Sequence, residues 1–193
     1  KSVTISGPSS PLGVNQRQLA IGIYVAGVGC PIVAPGQPAQ RTADLRLNDI
    51  SNQTQGIHVE NQGCARVSGN TLHSIQRAGG SSFGVLLYSA SDNEISRNTM
   101  FGIGASGGID SGLSLIQGAS RNLITSNTIS NNAGNGVTVF NKSSQNNVNL
   151  NTVRFNAVDL TDASDGSGNT WNLNNLCKTQ AGSVPAGVCN PME

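Results

Sequence analysis

Four side chains have the types and spacing for proton chemistry beside a carboxylate: His73, Arg77, Arg97 and Asp110. A histidine can take the proton alpha to a carboxylate, and a guanidinium can neutralise that carboxylate while charge builds on it. His73 and Arg77 share one stretch of chain, and Arg97 and Asp110 belong to the next stretch of the same kind, so stacking the two would bring them within reach. If that group is a catalytic centre, replacing Arg77 abolishes turnover. The second histidine, His58, falls at an outward position of its segment, in a row with Tyr24, Leu86, Ser114, Thr138 and Asp159. Asp159, Asp162 and Asp165 lie three apart and form the calcium candidate, although their spacing is not that of an EF-hand loop. No Cys-x-x-Cys or Cys/His pairing with zinc spacing is present.

The elements that would position these groups come from two short phrases that alternate along the chain. The first centres on asparagine and reads Leu45-Arg-Leu-Asn48-Asp-Ile50, Val67-Ser-Gly-Asn70-Thr-Leu72, Ile95-Ser-Arg-Asn98-Thr-Met100, Ile124-Thr-Ser-Asn127-Thr-Ile129 and Val148-Asn-Leu-Asn151-Thr-Val153. Its asparagines stand 22 to 29 residues apart, the length of a unit that buries its core only by stacking on copies of itself. An amide both donates and accepts, so Asn48, Asn70, Asn98, Asn127 and Asn151 can bond one to the next as a structural ladder. The second phrase opens on glycine at Gly22-Ile-Tyr-Val25, Gly56-Ile-His-Val59, Gly84-Val-Leu-Leu87, Gly112-Leu-Ser-Leu115 and Gly136-Val-Thr-Val139, and closes with Ala157-Val-Asp-Leu160. Apolar residues two apart mark strands with one buried face. Each repeat therefore carries at least two short strands, stacked in parallel, with interior rows Ile23, Ile57, Val85, Leu113, Val137, Val158 and Val25, Val59, Leu87, Leu115, Val139, Leu160. The loops Thr71–Phe83 and Thr99–Ser111 are longer than their equivalents and raise a ridge on one side. Residues 26–43, with three prolines, form an insertion without a core of its own.

These phrases resemble the right-handed parallel β-helix repeat of the pectate-lyase-like superfamily, closely over residues 45–160 and loosely over 1–44. The resemblance implies an all-β fold: a right-handed single-stranded parallel β-helix, a solenoid of about six coils with a disulfide-stapled C-terminal cap. That superfamily holds lyases, hydrolases, epimerases, phage tailspikes and non-catalytic surface proteins, so fold does not choose the activity. The polygalacturonase-like hydrolase pattern is not met, because Met100 and Ile129 follow the Asn-Thr pairs where it has aspartate, and neither Asp-Asp nor Gly-His-Gly occurs. The Asp-Pro-His motif of alginate epimerases is absent too. The segment Gly168-Asn-Thr-Trp171-Asn-Leu-Asn-Asn-Leu-Cys177 resembles the closing segment of secreted β-helix proteins, with Trp171 over the last coil and 168–193 as cap and tail.

Composition bounds the remaining choices. The 193 residues suffice for one domain spanning 1–193, and the strand-like opening Lys1-Ser-Val-Thr-Ile5 suggests that sequence upstream has been trimmed. A formal net charge of +1 offers no electrostatic attraction to nucleic acid, and no apolar run has the length of a membrane span. Cys30 and Cys64 stand at matching places in ungapped frames, eight residues after Gly22 and Gly56, which places them in adjacent coils within disulfide reach. Cys177 and Cys189 then pair in the tail. Two bridges imply a secreted, periplasmic or cell-surface protein. The expected partner is a polysaccharide or other glycan. The chain reads either as a lyase or epimerase acting on acidic polysaccharide, or as a non-catalytic glycan-binding, adhesive or structural surface module, alone or as a fragment of a larger protein. Aromatic residues are only 4% of the chain, so glycan binding would lean on hydrogen bonds.

Overall fold

The aliphatic residues repeating two apart take extended backbone, and the described residues hold nineteen short strands and no helix. The computed structural model describes residues 4–6, 20–27, 29–30, 41–77, 79–104, 109–172 and 175–189. The insertion expected at 26–43 lies mostly outside them.

Each coil contributes one strand to each of three parallel sheets. Sheet A stacks β1 (Thr4–Ser6), β4 (Asp49–Ser51), β7 (Thr71–His73), β10 (Thr99–Phe101), β13 (Thr128–Ser130) and β16 (Thr152–Arg154). Sheet B holds the longer strands β2 (Ile21–Ala26), β5 (Gln55–Glu60), β8 (Phe83–Tyr88), β11 (Ser111–Ile116), β14 (Asn135–Phe140), β17 (Leu160–Ala163) and β19 (Gln180–Gly182). Sheet C stacks β3 (Ala43–Arg46), β6 (Ala65–Ser68), β9 (Glu94–Ser96), β12 (Leu123–Thr125), β15 (Asn147–Asn149) and β18 (Thr170–Trp171). The asparagine phrase thus spans a corner. Its first aliphatic, such as Ile124, lies in sheet C, and its second, such as Ile129, lies in sheet A.

Like residues stack through the interior. Sheet A contributes Ile50, Leu72, Met100, Ile129 and Val153, and sheet C contributes Val67, Ile95, Ile124 and Val148, all fully buried. Burying each such side chain is worth about 1.5–3 kcal/mol, the main term holding coil on coil. Glycine opens the sheet B phrase because no side chain fits there. A Cβ on Gly112 would lie 2.3 Å from Ile129 Cγ2, and one on Gly136 would lie 2.2 Å from Val153 Cγ1.

The corners are held by amides. Asn48, Asn70, Asn98, Asn127 and Asn151 form a ladder that continues to Asn175, each Nδ2 donating to the next Oδ1 at 2.8–3.0 Å. Each Oδ1 also accepts the backbone N–H of the preceding asparagine. A second ladder, Asn93, Asn122, Asn146 and Asn169, holds the corner between sheets B and C. Its mark in the sequence is the phrase Ser-x-Asn-x-aliphatic, as in Ser120-Arg-Asn122-Leu-Ile124, distinct from the two phrases above. At the corner between sheets A and B, Asn132 bonds to Asn156, while the two coils with long loops carry the buried apolar residues Ile75 and Ile103 there. Left-handed backbone recurs at the corners, and it falls on Phe155, 75% exposed at φ 58°.

The last coil differs from the expected register. Leu160, not Val158, stacks on Val137, and Asp162, not Leu160, stacks on Val139. A slip of two residues preserves strand alternation, so polar partners decide. Asp162 enters the interior row because Trp171 Nε1 donates to its Oδ2 at 2.9 Å while Ser164 N and Oγ donate to its Oδ1. Trp171 stacks on Val148 and ends the sheet C row, 6% exposed.

Candidate functional site

Period-two alternation in sheet B turns Tyr24, His58, Leu86, Ser114, Thr138 and Thr161 outward in one register row, with Glu60, Tyr88 and Ile116 in a second row two residues further on. Toward the later coils this face is closed: Ser114 and Thr138 are both 0% exposed, and Ser111 Oγ meets Thr138 Oγ1 at 3.0 Å. Toward the first coils it opens, and its reactive groups gather there.

Tyr24 is half exposed, and its hydroxyl donates to Glu60 Oε2 at 2.5 Å. That bond, together with the carboxylate's charge, raises the Tyr24 phenol above its ordinary value. His58 is wedged between two tyrosines, its ring centroid 5.2 Å from that of Tyr24, edge to face, and 6.3 Å from that of Tyr88. It is 8% exposed, and neither ring nitrogen has a hydrogen-bond partner. Nε2 stands 3.8 Å from Glu60 Oε2, too far for a hydrogen bond. Burial lowers the imidazole pKa, with Glu60 partly opposing, so the ring is neutral at neutral pH. Glu60 is the one charge acting on both rings.

An open cavity of about 210 Å³, its walls more apolar than polar, lies at the end of these strands, lined by Asn61, Gln62, Gly63, Ser89, Ser91 and Asp92 with Gly29 and Cys30. Asn61 directly follows Glu60, and Ser89 directly follows Tyr88, so the cavity adjoins the cluster. Asp92 is bound by Arg121 through Nε at 2.8 Å and Nη2 at 2.7 Å. Elsewhere Arg41 pairs with Glu94 at 2.6 Å, and Arg46 with Asp44 at 2.8 Å. Glu60 has no cationic partner among the described residues.

The four residues first considered for catalysis take separate places. His73 Nε2 lies 3.2 Å from Asp49 Oδ1, with its ring stacked on Phe101 at 5.2 Å. Asp110 is buried before β11 and accepts from the Ser82 N–H at 2.7 Å. Arg97 sits exposed in the corner before β10, at the other end of that strand from the loop that carries Asp110. Arg77 is half-buried in the loop before β8. Among the described residues, no hydrogen bond or ion pair joins any two of the four. The calcium candidates do not converge either. Asp159 accepts from Asn156 and from the backbone of Lys178 and Thr179, Asp162 caps the core, and Asp165 accepts from the Lys142 N–H. No group of three metal-ligating side chains occurs among the described residues.

All four cysteines are paired, Cys30 with Cys64 across adjacent coils and Cys177 with Cys189 in the tail. The model of the right-handed β-helix region family matches residues 22–182, most of the chain. The chain is a member of the right-handed β-helix family. No curated protein and no solved structure matches this β-helix. Its disulfides are compatible with an extracellular protein, and no helix among its described residues is long and apolar enough to cross a membrane.

Proposed function

We propose that this β-helix is a secreted or surface-exposed glycan-binding protein whose binding site is the open end of sheet B around Tyr24, His58, Glu60 and Tyr88. The observation that carries the reading is the tyrosine–histidine–carboxylate group set in register on consecutive strands beside an open cavity with amide and hydroxyl side chains in its lining. Ring faces cover sugar C–H surfaces, while the carboxylate and the amide and hydroxyl lining offer partners to sugar hydroxyls. The test is native electrophoresis through gels containing a panel of soluble polysaccharides. At least one polymer should retard the wild type, and Tyr24→Ala with Tyr88→Ala should abolish that retardation. Equal retardation of the variant, or none of the wild type, would overturn the assignment.

A second reading, lyase or epimerase chemistry on acidic polysaccharide, is favoured by the state of His58. A neutral imidazole with two free nitrogens beside a protonated phenol is suited to take the proton alpha to a uronate carboxylate. Incubation with pectate, alginate and glycosaminoglycans, with calcium and with chelator, would reveal a lyase through the ultraviolet absorbance of unsaturated uronides. Flat traces with every polymer would sink the lyase form.

A further inference from the structure

The charge arrangement at the open end of sheet B narrows the class of sugar. Resting on the glycan reading above, we infer that the site takes a sugar unit carrying a protonated amine, as in a deacetylated amino-sugar polymer. The other acidic side chains near this end are already matched: Asp92 by Arg121, Glu94 by Arg41, and Asp44 by Arg46. Glu60 is not. Its Oε2 accepts from the Tyr24 hydroxyl, its neighbour His58 is neutral, and its side chain remains partly exposed.

A lone carboxylate between two tyrosines fits an ammonium group. The carboxylate supplies the counter-charge, and the phenol faces attract a cation through their quadrupoles. Tyr24 bonds Glu60 directly, and Tyr88 is its register partner on the next strand, so both rings flank the same carboxylate. The adjoining cavity carries no unmatched charge: the uncharged Asn61, Ser89 and Ser91 line it, and the Asp92 carboxylate there is held by Arg121. One end of the site is anionic and aromatic, and the other is neutral and hydroxyl-seeking. An amino sugar has that same division between its ammonium and its hydroxyl groups. A uronate would instead bring its own carboxylate to Glu60, a like-charge contact with no guanidinium among the described residues to relieve it.

The experiment compares three oligosaccharides of equal length by calorimetry: glucosamine oligomers, their fully N-acetylated counterparts, and oligogalacturonate. The glucosamine oligomers should bind about tenfold tighter than the acetylated ones, and the preference should shrink with added salt. Glu60→Gln keeps an oxygen for the Tyr24 hydroxyl while removing the charge, so it should erase the preference with the fold unchanged by circular dichroism. Equal binding of both glucosamine forms, tighter binding of oligogalacturonate, or a preference that survives Glu60→Gln would overturn the amine assignment and leave the glycan reading standing. No binding of any oligomer would overturn both. The wild-type comparison decides the matter even if the variant does not fold.

Discussion

An internal rung of the asparagine ladder should cost far more to remove than its first rung, although the residue type and corner are the same. Asn127 Oδ1 accepts both the backbone N–H and the side-chain N–H of Asn98, at 3.0 and 2.9 Å, and its Nδ2 donates to Ile95 O at 2.9 Å. Asn127→Ala strands the buried Asn98 N–H, a loss of about 1–3 kcal/mol, and removes three further bonds, from Asn98 Nδ2 and to Ile95 O and Asn151 Oδ1, worth about 0.5–1.5 kcal/mol each. The total is about 2.5–7.5 kcal/mol. Asn48→Ala removes one donation to Asn70 Oδ1, which keeps the Asn48 N–H at 2.9 Å, so nothing is stranded and the loss is about 0.5–1.5 kcal/mol. The assay is urea unfolding with disulfides intact, followed by fluorescence of the single tryptophan and by circular dichroism. Coincidence of the two probes is required, because stacked repeats can melt in blocks. Losses for the two variants within about 0.5 kcal/mol of each other, inside the range over which independent sites already agree, would refute the reasoning. Water or a backbone shift would then be satisfying Asn98 in place of the amide.

Four other outcomes follow from contacts already described. Gly112→Ala should cost about 1–3 kcal/mol through overpacking against Ile129 Cγ2, read as a lower Tm. Burial keeps the folded His58 pKa below its unfolded value near 6.5, so stability should hold above that pH and fall as pH drops through the folded value; His58→Leu should flatten that part of a urea-midpoint pH profile. Asp162→Val matches the shape of its interior row but strands the Trp171 indole N–H, and should cost about 1–3 kcal/mol with a change in the near-ultraviolet dichroism of Trp171. Phe155→Asn should raise Tm slightly, because left-handed backbone costs a bulky residue about 1–2 kcal/mol and costs asparagine less.

The architecture was legible because two of its marks are steric. Glycine stands where no Cβ fits, and asparagine stands where a corner must satisfy buried amides, so both recur whatever else varies between them. The Cys30–Cys64 bridge follows from the same register. The last coil misled because Ala157-Val-Asp-Leu160 imitates the sheet B phrase with the right alternation, and only the partners of Asp159 and Asp162, contributed by the tail, select the other register. The site was the least legible part. His58 was recognised as facing outward beside Tyr24, but its chemistry depends on Glu60 two residues on and on ring contacts with Tyr24 and Tyr88, more than a coil away in sequence. His73, Arg77 and Asp110 belong to the long loops and Arg97 to the corner before the second, and loop length says where chain is spare and not which side chains meet.

The amide ladder also gives the solenoid an electrical direction. From Asn48 to Asn151 each Nδ2 turns one N–H toward the later coils, to the next Oδ1, and from Asn70 on it turns the other back to a backbone carbonyl of the preceding coil; the ladder from Asn93 to Asn169 runs parallel to it. The direction from Oδ1 to the forward N–H is the same at every rung, so the amide dipoles add instead of cancelling. Asp162 places an acid in the interior row of sheet B between Val139 and Gly182, so the apolar stack of that row is broken before the tail strand β19 is added.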